Sequence, residues 1–290
     1  MSILIDQNTK VLIQGITGTV GRFQSKIMKD YGTKIVAGVT PGKAGENVDG
    51  IPVYDYVAEA AAQHEIDAAF CFVPGRYARD AAIEVIEAGI PFLVVTAEGV
   101  PARDMVTILY YARIKGARVL GCDTAGLISP GKSKMGVHPN RMFMEGPVGL
   151  ISKSGALSYE VCKNLTENKI GQSTVVGIGG GPHWGTTQLD LLKLFNQDPE
   201  TKAVVMLGEV GGTMEIEAAE WIQGHMQKPV VALIVGRAAP EGAQMGHAGA
   251  IIEGKEGTAS SKIQRLEEAG VHIACSPAEI PSIIHRLGIL

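Results

Sequence analysis

His247 stands in a setting that could do chemistry, because Gly246 precedes it and Gly249 follows two residues later in the run MGHAGAI. Small neighbours leave space for a bulky group to approach the imidazole, and glycine allows backbone conformations that are closed to other residues. An isolated loop histidine is more often structural than catalytic. We therefore examine whether the rest of the chain supplies the groups that a reactive histidine needs.

A carboxylate suited to this histidine is Glu209, in the run GEVGG after a predicted strand at residues 203–207. The loop that contains His247 follows another predicted strand, at residues 230–235. Parallel strands end at the same edge of a sheet, so we expect the two side chains to meet there. A carboxylate bound to one imidazole nitrogen leaves the other as a nucleophile. The remaining histidines lack such a setting, and of these we keep only His183, in GGGPHWGTT, under consideration.

A glycine-rich turn follows the first predicted strand, at residues 15–21 with the sequence GITGTVG. Such turns let the backbone approach a phosphate group at the start of a helix. NAD-binding domains usually carry an acidic residue about 20 residues further on, to hold the ribose hydroxyls. This chain has Lys43 there, which favours a ligand with an additional phosphate, such as NADP or coenzyme A. The alternative is an ordinary surface lysine.

Two further segments resemble anion sites. Residues 126–133, GLISPGKS, match the P-loop pattern, but Gly136 and Pro139 follow where a P-loop requires a helix, so we do not predict a nucleotide site there. Residues 153–157, KSGAL, follow a predicted strand and open a helix. Free N–H groups at Ser154 and Gly155, with Lys153 beside them, could hold a phosphoryl group. The alternative is a helix capped by serine without a ligand.

The elements that must position these residues alternate between short β-branched runs and alanine- and glutamate-rich stretches of helical length. The predicted strands are residues 10–14, 34–39, 67–73, 91–96, 118–120, 148–152, 174–178, 203–207, 230–235 and 271–274. This alternation predicts α/β domains with parallel sheets covered by helices on both faces. The alternation stops between residues 121 and 147, so we expect two domains, residues 1–125 and 148–290, joined by an irregular connector at 126–147.

Composition limits the classes of partner and compartment. The net charge is −4 and no run is rich in lysine and arginine, which argues against a nucleic-acid partner. Four dispersed cysteines predict neither a zinc site nor a disulfide framework, and we expect no bound metal. The chain shows neither a signal peptide nor 18 uninterrupted apolar residues, so we expect a cytoplasmic protein without a membrane span.

Several motifs together resemble one family, the α subunits of the ADP- or GDP-forming succinyl-CoA synthetases, which are acid–CoA ligases. The resemblance extends almost from end to end and is carried by GITGTVG, VAGVTPGK, SGALSYE, VGIGG, GEVGG and MGHAGAI. It implies a Rossmann-like domain that binds coenzyme A, followed by a flavodoxin-like ligase domain. The contacts to coenzyme A that it implies are Thr17, Gly18, Thr19, Val20, Lys43, Thr96, Ala97 and Glu98.

In the second domain the resemblance implies that His247 is phosphorylated transiently and that Glu209 orients it. Ser154 and Gly155 would hold the phosphoryl group, and Tyr159 would lie at the acid substrate. The family binds its nucleotide, as Mg-ATP or Mg-GTP, on a separate β subunit with an ATP-grasp fold. The resemblance therefore implies an αβ or α2β2 assembly. The phosphoryl group would pass from the nucleotide to His247 and then to the acid, and the thiol of coenzyme A would displace it.

The chain differs from the family near the acyl site. Residues 121–126 are GCDTAG, where the family usually has Gly-Pro-Asn-Cys-Pro-Gly, so Asp123 and Thr124 replace an amide and a cysteine. Arg76, in FVPGRYARD, replaces a small or apolar residue and, if it faces the pocket, would favour an acid with an extra anionic group. The alternative is neutral variation at the rim of the pocket. Succinate is the first expectation, with malate, citrate or a sulfonated acid such as sulfoacetate as alternatives. A CoA-binding regulatory protein without catalysis and an NADP oxidoreductase remain as other classes, against which the motifs in the second domain argue.

Overall fold

The computed structural model describes residues 2–181, 183–240, 242 and 244–289. Within these residues it contains two seven-stranded sheets, each flanked by helices, which we call the N-terminal sheet and the C-terminal sheet. The chain is therefore an α/β protein with two predominantly parallel sheets, as the sequence predicts.

The N-terminal sheet has the strand order β3-β4-β2-β1-β5-β6-β7 and is parallel except for β3. Its strands are β1 (Lys10–Gln14), β2 (Lys34–Val39), β3 (Asn47–Val48), β4 (Ile51–Tyr54), β5 (Ala68–Cys71), β6 (Phe92–Val95) and β7 (Arg118–Gly121). The helices between them are α1 (Thr19–Asp30), α2 (Val57–Gln63), α3 (Gly75–Glu87) and α4 (Ala102–Lys115). The chain continues from β1 to β2 on one side and returns to β5 on the other, so the carboxyl end of β1 lies at a switch point where α/β folds form ligand sites.

The C-terminal sheet has the strand order β14-β13-β12-β10-β11-β8-β9. Its strands are β8 (Gly126–Ser129), β9 (Ser133–Gly136), β10 (Glu145–Ser152), β11 (Gln172–Gly177), β12 (Ala203–Glu209), β13 (Val230–Val235) and β14 (His272–Ile273). The accompanying helices are α5 (Gly155–Glu167), α6 (Gln188–Gln197), α7 (Met214–His225), α8 (Ala259–Glu268) and α9 (Ile280–Arg286), with short 3-10 helices at Asn140–Met142 and Pro277–Glu279. The strands β10 to β14 run parallel, whereas β8 and β9 are antiparallel to their neighbours.

Local sequence explains where several helices begin and end. The Ser154 side chain caps α5 by accepting a hydrogen bond from the Leu157 N–H (3.3 Å), and Thr258 caps α8 in the same way. The helices α3 and α4 are followed closely by Gly89 and Gly116, which have φ values of 79° and 72°. A positive φ of this kind ends a helix without the strain that a side chain would add.

Residues 126–147 differ from the irregular connector expected from the sequence. They contain the β8–β9 hairpin, which pairs with β11, and the first residues of β10. Each hairpin strand has only four residues, and all eight are buried. Such short strands with both faces covered carry no alternating pattern that sequence inspection could detect. The structure confirms that no helix follows Ser133, so the P-loop pattern at residues 126–133 is a hairpin.

Candidate active site

The structure brings His247 and Glu209 together at the carboxyl edge of the C-terminal sheet. Glu209 is the last residue of β12, and the loop after β13 carries His247 to it. The distance from His247 Nδ1 to Glu209 Oε2 is 2.7 Å, and the side chains are 27% and 8% exposed. A hydrogen bond at Nδ1 leaves Nε2 as the imidazole nitrogen available to another group. Glu209 Oε1 is buried and has no hydrogen-bond partner among the described residues.

Charged neighbours act on this imidazole in opposite directions. The hydrogen bond to Glu209 raises the pKa of His247 above its usual 6.5, and the charges of Glu209 and Asp123 act in the same direction. Burial and the ammonium group of Lys153 lower that pKa, but the net shift is upward. The site therefore holds a partly buried histidine whose protonation depends on two carboxylates.

The backbone beneath the imidazole is glycine. A Cβ atom built at Gly180 would lie 2.5 Å from the His247 ring, so no side chain fits there. The Gly249 N–H donates to the Gly180 carbonyl (3.3 Å), and a Cβ at Gly249 would come within 3.1 Å of the Trp184 ring. Gly180 is thus required for close approach rather than for turn formation, and a side chain at Gly249 would need its neighbours to move by a few tenths of an ångström. His183 is half-buried near this segment, and its side chain forms no hydrogen bond with the residues that the structure describes.

A buried ion network, which we call the Lys153–Glu215–Lys262 triad, lies beneath Glu209. Glu215 Oε1 is 2.8 Å from Lys153 Nζ, and Glu215 Oε2 is 2.5 Å from Lys262 Nζ. The three side chains are at most 3% exposed. Burial raises the pKa of Glu215, but the two ammonium groups outweigh it and hold the net value below the usual range. Lys153 therefore points into the interior and over the Trp184 ring at 5.2 Å, rather than standing free at the start of α5 as the sequence suggests.

Sequence reasoning missed Glu215 and Lys262. Each lies in a helix, where a charged residue normally faces solvent. The first turn of α7 is instead buried under the loop after β12, and Lys262 faces the same loop from α8. Only the three-dimensional packing of the two helices distinguishes these residues from surface charges.

The four residues predicted at the acid substrate have different surroundings. Asp123 has a φ of 55° and accepts a hydrogen bond from the Gly180 N–H, and its charge acts on His247. Burial raises the pKa of Asp123, and Glu98 acts in the same direction. The Tyr159 ring packs edge-on against His138, with ring centroids 5.6 Å apart. Asp123 is thus the residue of this group that the structure brings to His247.

Thr124 and Arg76 are less suited to direct substrate contact in this structure. The Thr124 hydroxyl donates to the Gly177 carbonyl (2.5 Å) and accepts from the Gly126 N–H (2.8 Å), so it joins β7 to β8 and β11. Arg76 is exposed at the start of α3, with its guanidinium 4.8 Å from the centre of the Tyr77 ring.

The glycine turn at residues 15–21 has the geometry of a site for close backbone approach. Gly15 has a φ of 74°, and a Cβ at Gly21 would lie 2.1 Å from the Gly15 carbonyl oxygen. The turn opens α1, and Gly18, Thr19 and Val20 are exposed at its start, with Thr17 partly exposed. These predicted contacts therefore form one exposed strip at the carboxyl end of β1.

Beside this strip lies a cavity of about 540 Å³. It is lined by Gln14, Gly15, Val39, Thr40, Pro41, Tyr56, Val73, Pro74, Tyr77, Asp80, Ala81 and Glu84. Sequence reasoning identified the turn but not these walls, of which Tyr56 and Tyr77 are exposed aromatic rings. Aromatic and apolar walls with a few polar groups are typical of sites for small molecules and cofactors.

The other predicted contacts lie around this edge. The Lys43 ammonium is exposed and forms an ion pair with Glu46 at 2.9 Å. Thr96 donates a hydrogen bond from its hydroxyl to the Cys71 carbonyl (2.9 Å), and the Ala97 carbonyl accepts from the Asp123 N–H (3.0 Å). Glu98 is exposed. The segment 96–98 thus joins the edge of the N-terminal sheet to Asp123, close to His247.

Ser154 and Gly155 open α5 at the carboxyl end of β10. Ser152 Oγ accepts a hydrogen bond from the Ser154 N–H (3.0 Å) and the Ser154 side chain caps the helix. The first N–H groups of a helix have no intrahelical partner, and this holds for those of Gly155 and Ala156 at the start of α5. The helix α5 begins just after β10, and β10 is paired with β12, the strand that ends at Glu209.

Within the described residues, no group of three histidine, cysteine, aspartate or glutamate side chains is arranged to hold a metal ion. No helix in the same part of the chain is long and apolar enough to cross a membrane.

Comparison with known proteins agrees with this arrangement. Residues 6–99 match the family of CoA binding domains, and residues 151–272 match the CoA-ligase family. Two solved structures support the fold. ATP citrate lyase from Methanothrix soehngenii, in complex with citrate and coenzyme A, is 26% identical with a TM-score of 0.88, and the match covers 99% of this chain and 52% of that longer one. A protein from Pyrococcus horikoshii aligns with a TM-score of 0.72 over 93% of this chain and 58% of its own, at 21% identity.

Full-length relatives share about half of the residues. The succinate–CoA ligase (ADP-forming) subunit alpha 1 of Archaeoglobus fulgidus is 50% identical over 99% of this chain and 98% of its own length. The corresponding subunit alpha of Aquifex aeolicus is 46% identical over 99% of this chain and 95% of its own. On the strength of this similarity, the chain belongs to the family of the α subunits of ADP-forming succinate–CoA ligases.

Proposed function

We propose that this chain is the α subunit of a ligase that joins succinate to coenzyme A at the expense of ATP or GTP, through a phosphohistidine at His247. The observation that carries the proposal is the 2.7 Å contact between His247 Nδ1 and Glu209 Oε2. A carboxylate at Nδ1 favours the tautomer with the proton on that nitrogen, and so directs the lone pair of Nε2 outward. The names of the relatives support ADP as the nucleotide product.

In the first step, His247 Nε2 attacks the terminal phosphorus of the nucleoside triphosphate. The bond from that phosphorus to the bridging oxygen breaks, and the nucleoside diphosphate leaves. Glu209 stabilises the positive charge that the imidazole gains as the N–P bond forms. In the second step, a carboxylate oxygen of the acid takes the phosphoryl group, and neutral His247 leaves. In the third step, the sulfur of coenzyme A attacks the carbonyl carbon of the acyl phosphate and inorganic phosphate departs. Covalent transfer thus divides one difficult condensation into simpler displacements.

The N-terminal sheet supplies the residues for coenzyme A. We assign its phosphates to the exposed turn at Thr17, Gly18, Thr19 and Val20 and to Lys43, and its reactive end to the segment of Thr96, Ala97 and Glu98. The cavity beside the turn supports this assignment, because its apolar walls include the two exposed rings of Tyr56 and Tyr77. Coenzyme A supplies the thiol that accepts the acyl group.

The phosphoryl group and the acid need further contacts. We assign the phosphoryl oxygens to the start of α5 at Ser154 and Gly155, where the helix dipole and free N–H groups favour negative charge. Tyr159 and Asp123 would contact the acid, with Arg76 at the rim. Thr124 would support this region through the hydrogen bonds of its hydroxyl to the backbone of Gly177 and Gly126, rather than through substrate contact.

The nucleotide must come from a partner, which we propose to be a β subunit with an ATP-grasp fold in an αβ or α2β2 assembly. We also propose that residues 1–125 form the coenzyme A domain and residues 148–290 the ligase domain. The family matches at 6–99 and 151–272 support this division, and the β8–β9 hairpin in between pairs with the ligase domain. Three of the four free cysteines are buried, which fits a reducing compartment, the cytoplasm.

A second acid remains a candidate because one observation favours it. The solved ATP citrate lyase is 26% identical and holds citrate, which has one more carboxylate than succinate. An exposed arginine at the rim, Arg76, could pair with such a group. A panel of succinate, malate, citrate and sulfoacetate, with phosphate release as the readout, distinguishes these acids.

The experiment that tests the proposal measures phosphate transfer to the chain. The α chain is co-expressed with a family β subunit and incubated with Mg-ATP labelled at the γ-phosphate. We expect acid-labile, base-stable label on the wild-type chain, loss of that label when succinate and coenzyme A are added, and no label on His247→Asn. Ligase activity retained by His247→Asn would contradict the mechanism.

A further inference from the structure

We propose that Glu215 and Lys262 are positioning residues, which fix the backbone of Glu209 so that its carboxylate stays on Nδ1 of His247. This inference rests on the proposed function, because it concerns the same histidine. It assigns a role to two buried charged residues that take no part in the steps above.

The first argument is that Glu215 and Lys262 hold both polar groups of the Glu209 backbone. The Glu209 N–H donates to Glu215 Oε1 (3.3 Å), and Lys262 Nζ donates to the Glu209 carbonyl (2.8 Å). Because Glu209 ends β12, the sheet no longer determines the direction of the chain beyond it. Glu215 and Lys262 fix the backbone at Glu209 instead, and they thereby set the direction of the Glu209 side chain towards His247.

Lys262 also binds the part of the Glu209 loop that contacts the loop of His247. Lys262 Nζ also donates to the Gly211 carbonyl (2.6 Å). A Cβ atom at Gly211 would lie 2.5 Å from the Gly249 carbonyl oxygen and 2.7 Å from the Ile251 nitrogen, so the two loops are in direct backbone contact. With Glu215 Oε2, the two carbonyls give the ammonium group three acceptors, which match its three N–H groups. One ammonium group thus fixes the loop of Glu209 and Gly211, and the segment that carries His247 packs directly on Gly211 of that loop.

The third argument is that burial of these charges has no evident benefit for stability. Replacing a buried ion pair by apolar residues of similar volume is often neutral or stabilising. Apolar side chains would fill the same space between α7 and α8, but they could not bind the N–H and the carbonyl of Glu209. A Cβ atom at Gly208 would come 2.7 Å from Glu215 Oε1. The absence of a side chain at Gly208 therefore makes room for the Glu215 carboxylate beside Glu209.

The test is the tautomer and reactivity of His247 in Lys262→Met. We measure the ¹⁵N shifts of His247 in the ¹⁵N-histidine-labelled full chain, assigned by their loss in His247→Asn, and the rate of phosphorylation with the β subunit and Mg-ATP. The wild type should show the proton predominantly on Nδ1. In Lys262→Met we expect a shift towards the other tautomer and a phosphorylation rate lower by about 10- to 100-fold, the range typical when a residue that orients a catalytic ligand is lost.

Lys228→Met is the matched control. Lys228 also donates to two backbone carbonyls, those of Phe195 and Asp198, but it lies near the amino end of β13. This variant should lose stability without any change in the tautomer or phosphorylation rate of His247. Such a result separates positioning from a general loss of stability.

A folded Lys262→Met protein with the wild-type tautomer and rate would overturn the proposal. If that variant does not fold, Glu215→Gln keeps the shape of the other partner and should change the tautomer in the same direction. A third measurement needs no variant: hydrogen exchange at the Glu209 amide of the wild type should be slow, and rapid exchange there would also overturn the proposal. Absence of label on wild-type His247 would instead refute the proposed function, while the tautomer and exchange measurements would still test the positioning.

Discussion

The two ring nitrogens of His247 have different tasks, one in orienting the ring and the other in phosphoryl transfer. Its Nδ1 lies 2.7 Å from Glu209 Oε2, which is the orienting contact, and the other nitrogen remains for phosphoryl transfer. Only the neutral imidazole has a lone pair to donate, so the pKa of His247 determines the lower end of the useful pH range. The groups that face this ring with a charge are Glu209, Asp123 and Lys153.

We predict a change in the pH dependence of phosphorylation in Asp123→Asn. The negative charge of Asp123 raises the pKa of His247, so its removal lowers that pKa and leaves the imidazole neutral at more acidic pH. The acidic limb of the phosphorylation rate should therefore move to lower pH. Rates of label incorporation in buffers of constant ionic strength measure it.

The direction of this shift is the decisive result. Asn keeps the size of the side chain and can still accept the Gly180 N–H, so the backbone geometry should be preserved. An acidic limb that stays in place, or one that moves to higher pH, would show that the charge of Asp123 does not reach the imidazole. Glu98→Gln serves as the control, since Glu98 acts on Asp123 and is absent from the groups that act on His247.

At the scale of elements, loops at the carboxyl edge of the C-terminal sheet hold the imidazole by backbone contact. The segment after β11 contributes Gly180, over which the ring lies, and the loop after β12 contributes Gly211, on which the His247 loop packs. Protein interiors are packed closely enough that one additional methyl group displaces its neighbours. The adjacent glycines Gly180 and Gly181 therefore offer a test of this arrangement.

We predict that Gly180→Ala impairs phosphorylation of His247 far more than Gly181→Ala. A Cβ at Gly180 would lie 2.5 Å from the ring, whereas the nearest atom to a Cβ at Gly181 is 3.3 Å away, at Cys122 Sγ. A ring displaced by about 1 Å can reduce a rate by on the order of 100-fold. Rates of label incorporation, with thermal unfolding to compare stability, measure both variants. Equal rates in the two variants would refute the packing argument.

The elements themselves were largely predictable, and the reason is their composition. The bounds of β1, β2 and β13 agree with the sequence prediction because each is a β-branched run enclosed by polar or turn-forming residues. Four strands were missed: β8 and β9 of the hairpin, the two-residue strand β3, and β4. They are too short for a clear sequence pattern, and their formation depends on the strands beside them. The candidate pair of His247 and Glu209 was predictable from the rule that parallel strands end together.

The burial of Glu215 and Lys262 was not predictable, since a charged residue in a helix gives no sign of burial. The walls of the cavity beside the glycine turn were missed for a similar reason. Tyr56 precedes α2 and Tyr77 lies in α3, so only the folded sheet brings them to one opening. Motifs therefore indicate the reacting groups, whereas packing determines what supports them.

At the scale of the whole molecule, stability at low pH should depend on a histidine outside the candidate active site. His138 is 1% exposed and neither ring nitrogen has a hydrogen-bond partner among the described residues. Its ring packs edge-on against Phe143 and Tyr159, at centroid distances of 5.4 and 5.6 Å. Burial lowers the pKa of His138 to about 3, and the charge of Lys134, whose ammonium donates to the His138 carbonyl, acts in the same direction.

We predict that His138→Leu makes the free energy of unfolding less sensitive to acid. Because the pKa of His138 in the folded state lies below its unfolded value of about 6.5, the unfolded chain binds a proton that the folded chain rejects between pH 6.5 and 3. The neutral histidine therefore adds stability that is complete above pH 6.5 and declines as the pH falls, by up to about 1.4 kcal/mol per pH unit. Leucine cannot be protonated, so denaturant unfolding of the variant should show a smaller loss of unfolding free energy between pH 7 and pH 4.5.

The control is His272→Gln, at an exposed histidine, which should keep the wild-type dependence of unfolding free energy on pH. An equal slope in His138→Leu would mean that the ring becomes protonated within the folded protein, and that the aromatic cluster admits a charge.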